Sequence, residues 1–214
     1  MVSPKSISLT SGSKNRKEIL SRLGINFKSI TSGFAEDLDK SSFEKPSDYV
    51  IANAKKKCLN VYDRLLVIII KVDIIISADT VGYIDGEILE KPRDREDALR
   101  ILKKLNDRTH KIYTGVSILI SSPSPSAGLS INDQTNYQIH EFYEVTEVTF
   151  RNCDDECYLN YIDTGEPMDK AGAYAYQFLG AFFVEKINGC YYNVVGLPIR
   201  VFSELENLLK GNKL

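Results

Sequence analysis

The chain has 214 residues, 43% of them hydrophobic, enough to bury a sizeable core in one large domain or a two-lobed one. Its 27 basic and 29 acidic side chains nearly cancel and are spread along the whole length. That balance argues against nucleic acid or a membrane as partner, since both favour a strong basic excess.

The opening MVSPKSISLT lacks the apolar run of a secretory signal. Cys58, Cys153, Cys157 and Cys190 include no CxxC pair, so a cytoplasmic protein with reduced, mostly structural thiols is expected. Cys153 and Cys157 could share a helix face, but two thiols without nearby histidines make a poor zinc site. His110 and His140 are the only histidines, which excludes a His-rich metal cluster. A Ser-His-Asp triad would have to use one of them.

In chain order, Ile7–Thr10 reads as a strand, followed by the small polar turn Ser11-Gly12-Ser13 and a helix from about Lys14 to Leu23, stopped by Gly24. Ile25–Ile30 suits a short strand. A helix then starts at Ser47 or Asp48 and runs through Tyr49, Ala52, Lys56 and Leu59. The apolar stretch Leu65–Ser77 is too short to span a bilayer and is broken by Lys71 and Asp73. It predicts a buried strand, preceded by another strand or a helix end. Ile74–Ile84 is strand-like and is turned by Asp85-Gly86, a hairpin signal. Ala98, Leu102 and Leu105 mark an amphipathic helix over Asp94–Leu105.

Strands follow at Ile112–Ile120 and Glu141–Phe150. Between them, residues 121–138 form an inserted loop, mobile by its Pro, Ser and Gly content. A helix near Asp154–Ile162, a strand pair around 181–195 and an amphipathic helix at Val201–Leu209 complete the chain. Alternating helices and strands predict an α/β fold, with a mixed sheet because of the Asp-Gly hairpin.

Four segments carry chemistry-bearing residues. In SGSKNR (11–16), small residues allow close backbone approach, free N–H groups at a helix start attract phosphate, and Arg16 adds a fork of donors. Ser13 can equally be an ordinary N-cap. In SADT (77–80), Asp79 ends an apolar strand, where open sheets bind ligands. It could hold a metal or draw a proton from water, or simply form a turn. In Glu90-Lys91-Pro92-Arg93-Asp94, Lys91 and Arg93 could contact phosphate, against Asp94 as an N-cap beside two solvated bases. The stretch from Asp169 to Gln177 mixes charge with small residues and fits no regular amphipathic element. Lys55-Lys56-Lys57 reads as a solvated helix face. These residues alone indicate an α/β protein handling an anionic ligand.

Taken together, the segments resemble the Maf family of nucleotide pyrophosphatases. The landmarks are SGSKNRKEIL at 11–20, Glu36 after Gly33, Lys57 after Tyr49, SADT at 77–80 and GEILEKPRD at 86–94. They continue with THKIYTGV at 109–116, GEPMDKAGAYAYQ at 165–177 and NGCYYNVVGLP at 188–198. The resemblance covers Leu9 to Leu209, apart from the inserted loop, and treats the chain as one domain. It implies an elongated, ITPase-like mixed sheet with flanking helices and two lobes around a central cleft; members are often homodimers. The implied reaction cuts a nucleoside triphosphate to monophosphate and pyrophosphate with Mg²⁺, or Mn²⁺ or Co²⁺.

Carried over by the resemblance, Asp79 is the proton acceptor. Glu36 and Asp79 serve metal and water, Lys57 and Lys91 bind phosphate, and Arg16 joins Ser11 and Ser13 in holding it. The branch acting on dTTP and UTP has a threonine at the position of Thr80 and a glutamine at that of Gln177. Asn15 departs from the family, which usually has arginine there. Asn15 and the insertion favour a second reading, a non-catalytic nucleotide-binding regulatory protein of the same fold. The full set Arg16, Glu36, Lys57, Asp79 and Lys91 opposes it, because a relic would be free to lose any of these residues.

Overall fold

The computed structural model describes residues 6–121 and 137–211. One seven-stranded sheet runs in the order β2-β1-β3-β5-β6-β7, with β4 beside β3. Its strands are β1 (Ile7–Thr10), β2 (Lys28–Ser29), β3 (Ile74–Ile84), β4 (Glu87–Leu89), β5 (Thr109–Ser121), β6 (Tyr137–Phe150) and β7 (Val184–Asn188). β1 pairs in parallel with β2 and β3, and every other pairing is antiparallel. The expected mixed α/β sheet is therefore present.

Helices flank it: α1 (Lys14–Arg22), α2 (Pro46–Val67), α3 (Arg95–Leu105), α4 (Asp155–Asp163), α5 (Tyr191–Val195) and α6 (Arg200–Gly211). The two largest apolar clusters lie toward opposite ends of β3. One joins α1 and α6 to β1, β3 and β5 through Leu9, Leu20, Ile76, Ile118 and Val201. The other gathers Leu102, Phe150, Tyr158, Tyr174 and Phe183 between α3, α4 and the far end of the sheet. None of the described helices is long and apolar enough to cross a membrane.

Strand alternation decides what each side of β3 meets. Ile74, Ile76 and Ala78 face the core with α1 and α6, while Ile75 and Val81 face α2. The edge of β3 is paired with β1 at Ile74–Ser77 and with β4 at Gly82–Ile84, leaving Ala78–Val81 between the two partners. Asp79 and Thr80 therefore stand in the middle of β3 and not at its end as expected; a ligand can reach them because β1 stops at Thr10 and β4 pairs only from Gly82.

Gly115 lies opposite Asp79 in the β3–β5 register. A Cβ there would sit 2.5 Å from the carbonyl carbon of Val50 and 2.6 Å from Ile51 N, both α2 backbone. Rigid backbone cannot yield as a side-chain tip can. Gly115→Ala should therefore push α2 off the sheet and cost about 1–3 kcal/mol or more, read as a lowered denaturation midpoint. A midpoint equal to wild type would show that α2 does not need this close approach.

One expectation is decided between its alternatives and two change. Over Leu65–Ser77 the buried strand is preceded by a helix end, one of the two alternatives: α2 continues to Val67, because Val61, Tyr62 and Leu65 extend its buried stripe. The chain then turns through Ile69 at φ 57°, with Val67 82% and Ile69 92% exposed, and becomes a strand only at Ile74. The short strand expected over Ile25–Ile30 shrinks to Lys28–Ser29. The strand pair expected around 181–195 is a 3-10 turn at Leu179–Phe183, the single strand β7 and then α5.

The reason for that last change is tertiary. Thr146 Oγ1 bonds the backbone N and O of Cys190, both at 3.1 Å, and Asn193 Nδ2 bonds Ile112 O at 3.0 Å, drawing the chain across the sheet. As for the inserted loop, β5 extends through Ser121 and β6 starts at Tyr137. Residues 122–136 lie outside the described residues.

Candidate active site

A cleft of about 990 Å³ opens over the gap in the β3 edge. Arg16, Glu36, Lys57, Asp79 and Lys91 all line it, as do Ser11, Ser13, Asn15, Thr80 and Gln177. Neither histidine does. His110 is buried against Tyr174, and burial pushes its pKa down to about 3. His140 pairs with Glu204. A histidine-based triad is thus absent from this cleft.

Alternation along β3 separates two groups. Asp79 points to the α2 side, where Lys57 Nζ lies 2.7 Å from Asp79 Oδ1 and 2.6 Å from Glu36 Oε2. The basic run of α2 is thereby split. Lys57 is 6% exposed and stands on the buried stripe with Asn53, Ala54 and Cys58, whereas Lys55 and Lys56 lie outside it. Two polar residues, Asn53 and Lys57, on an otherwise apolar stripe were the legible signal of this burial.

Burial drives the Asp79 pKa above its ordinary value, and Lys57 and Arg16 oppose that rise. Glu36 comes from the loop between β2 and α2 and holds φ 56°, a left-handed conformation that strains a side chain with a Cβ. Such strain persists only where surrounding contacts over-determine it, and it clusters at functional sites.

Thr80 points the other way, toward α1. Its Oγ1 accepts from Arg16 Nη2 at 2.9 Å and lies 2.9 Å from Thr114 Oγ1. Arg16 Nε donates to Gly196 O at 2.7 Å, and Nη1 reaches Ser11 Oγ at 3.4 Å. Ser13 is the N-cap of α1, accepting from Arg16 N at 3.4 Å. The ordinary capping role and a place in the cleft therefore coexist. Thr114 and Gly196 hold Arg16 and Thr80 in place, and sequence reasoning missed both because they come from the middle of β5 and the end of α5, far away in the chain.

Lys91 is exposed at the rim, after β4. Asp94 is the N-cap of α3, and Arg93 pairs with Asp97 and does not line the cleft. Lys170 does line it, beside its partner Asp169. It belongs to the irregular charged stretch but was given no role from the sequence. Gln177 lines the cleft, and its amide Nε2 is buried without a hydrogen-bond partner among the described residues.

A family profile described as Maf-like protein matches residues 6–210. The chain belongs to the Maf family. Among its relatives, a dTTP/UTP pyrophosphatase of Clostridium beijerinckii is 46% identical over 203 residues, covering 94% of this chain and 96% of the relative. One of the same name from Thermococcus onnurineus is 40% identical over 200 residues, covering 94% and 96%. A human protein named "Probable bifunctional dTTP/UTP pyrophosphatase/methyltransferase protein" is 42% identical over 199 residues. That match covers 92% of this chain but 31% of the human protein.

Proposed function

We propose that this Maf protein hydrolyses nucleoside triphosphates, dTTP and UTP foremost, to the monophosphate and pyrophosphate. The observation that carries this reading is Lys57 bracketed by Glu36 and Asp79 on the cleft floor, with Arg16 held alongside by Thr80 and Gly196. A polyphosphate needs cations and N–H donors, and water attack needs a base. This cleft offers both. The names carried by its relatives point to the same reaction.

In this reading Asp79 takes a proton from water as its oxygen attacks the α phosphorus. The bond from that phosphorus to the oxygen bridging to the β phosphate breaks, and pyrophosphate leaves. Lys57, Lys91 and Arg16 neutralise the phosphate charge, each fixed before substrate arrives or waiting at the rim. Ser11, Ser13 and the N–H groups opening α1 complete the cradle. Burial raises the basicity of Asp79, which suits proton abstraction.

Glu36 and Asp79 suit a divalent cation, because they already converge on one positive charge and offer hard carboxylate oxygens. Among the described residues no third His, Cys, Asp or Glu joins them, which fits an ion completed by water and phosphate oxygens. Mg²⁺, Mn²⁺ or Co²⁺ held there would neutralise charge on the polyphosphate.

The deciding experiment separates the products of UTP by chromatography. UMP with pyrophosphate is expected, and UDP with orthophosphate as main products would overturn the proposal. Base choice can be read in the same assay. Gln177 lines the cleft, and a glutamine amide can donate to O4 of uracil or thymine, where cytosine and adenine present an amino donor instead. An unpaired buried donor costs about 1–3 kcal/mol, so UTP and dTTP should exceed CTP and ATP in kcat/KM by roughly 5–150-fold. Gln177→Glu, which cannot donate, should erode that ratio. Equal rates on all four substrates, unchanged in the variant, would remove Gln177 from base reading.

A further inference from the structure

Glu90 precedes Lys91 at the end of β4 and lines the cleft, with each of its carboxylate oxygens bonded to another side chain. Oε1 accepts from the buried Tyr49 hydroxyl at 2.5 Å, and Oε2 lies 2.5 Å from Lys40 Nζ. Its backbone oxygen accepts from Gly172 N at 3.1 Å, in the segment that carries Lys170. Tyr49 belongs to the first turn of α2, and Lys40 lies four residues beyond Glu36 in the same loop. One residue thus ties together α2, the Glu36 loop and the Lys170 segment.

The Glu36 loop has few other polar anchors. Gly33 N donates to Asn60 Oδ1 at 2.9 Å, and Arg64 Nη1 reaches Thr31 O at 3.0 Å, both before Glu36 and both to α2. After Glu36, Leu38 and Phe43 pack on the Tyr49 and Val81 cluster. Among the described residues, Lys40–Glu90 is the ion pair that fastens this loop to the β4 wall. Glu36 needs such fastening on both sides, because its backbone conformation is strained and its side chain must meet Lys57.

We propose that Glu90, with Lys40, is a positioning residue for the reaction, acting through Glu36 by clasping the Glu36 loop to β4. This rests on the pyrophosphatase reading of the cleft. Glu90→Ala should lower kcat about tenfold, the order expected when a charged hydrogen bond no longer holds an active-site group. Lys40→Met should cost less, about threefold, because the pair is partly exposed.

The decisive arm is a double-mutant cycle. In a Glu36→Gln background, Glu90→Ala should have no further effect on kcat; with Glu36 intact, the charge-swapped pair Lys40→Glu with Glu90→Lys should recover part of the loss. Amide hydrogen exchange over residues 33–40 should quicken in Glu90→Ala while the α6 amides keep their wild-type protection. Effects that multiply in the Glu36→Gln background, or unchanged exchange in the loop, would overturn the clasp. An active wild type with an equally active Glu90→Ala variant sinks the clasp alone. A wild type that releases no pyrophosphate sinks the reading beneath it.

Discussion

Asp79→Asn should lower turnover by about 10²–10⁴-fold, the range for removing a general base, and leave the protein folded. Asparagine keeps the size and the hydrogen-bonding reach toward Lys57 but cannot accept the proton. The same residue sets the pH dependence. Burial raises the folded-state pKa above the ordinary aspartate value, more than Lys57 and Arg16 lower it. The base must be ionised, so kcat/KM should fall as pH drops through that raised pKa, placing the acid limb above the usual aspartate range.

The linkage to stability has the opposite sense. The folded state binds this proton more tightly than the unfolded chain does. The contribution of Asp79 to stability is therefore full below the unfolded pKa and lost as pH rises through the folded one. At neutral pH the buried charge opposes folding, so Asp79→Asn should melt at or above the wild-type temperature. A pH–rate profile and a thermal melt check both halves. Near-normal turnover in the variant would exclude Asp79 as the base.

Lys57→Met should reduce turnover by about 10²–10³-fold, because it removes a buried cation aimed at the developing phosphate charge. It should also destabilise the fold in a pH-dependent way. Lys57 is the largest influence holding down the Asp79 pKa, and without it that pKa climbs further. An uncompensated buried carboxylate costs about 3–5 kcal/mol while it stays charged, and protonation relieves that cost. The difference in melting temperature between variant and wild type should thus be small in acid and grow toward neutral and alkaline pH. A difference that does not change with pH would mean that Lys57 and Asp79 are not energetically coupled in the folded protein.

The two carboxylates and their lysine also show where a sequence stops being informative. β1, the Ser11–Ser13 turn, α1, the Asp85-Gly86 hairpin and α3 are legible because each depends on neighbours in the chain: alternation, caps and turn residues. Both Asp85 and Gly86 do adopt positive φ, as that turn requires. The run Leu65–Ile70 left strand and helix end open for the complementary reason. β-branched residues favour a strand locally, but the buried stripe of α2, packed on the sheet, carried the helix through Val67. The expected second strand near 191–195 likewise yielded to hydrogen bonds from Thr146 and Asn193, which no local pattern contains.

By itself, the sequence determined the α/β class, most element positions and, through the resemblance of its landmarks, the list of residues that meet in the cleft. Only the tertiary structure decided how they are arranged. β3 alternation sends Asp79 toward α2 and Thr80 toward α1, and the glycine opposite Asp79 lets α2 approach closely enough for Lys57 to reach it. The surroundings of Glu36, Glu90 and Gln177 are set the same way, by which oxygen or amide is bonded and which is left unpartnered. Burial and partnership are properties of the packed molecule. A linear pattern specifies which side chains are available, but the free energy of a buried charge depends on the atoms placed around it.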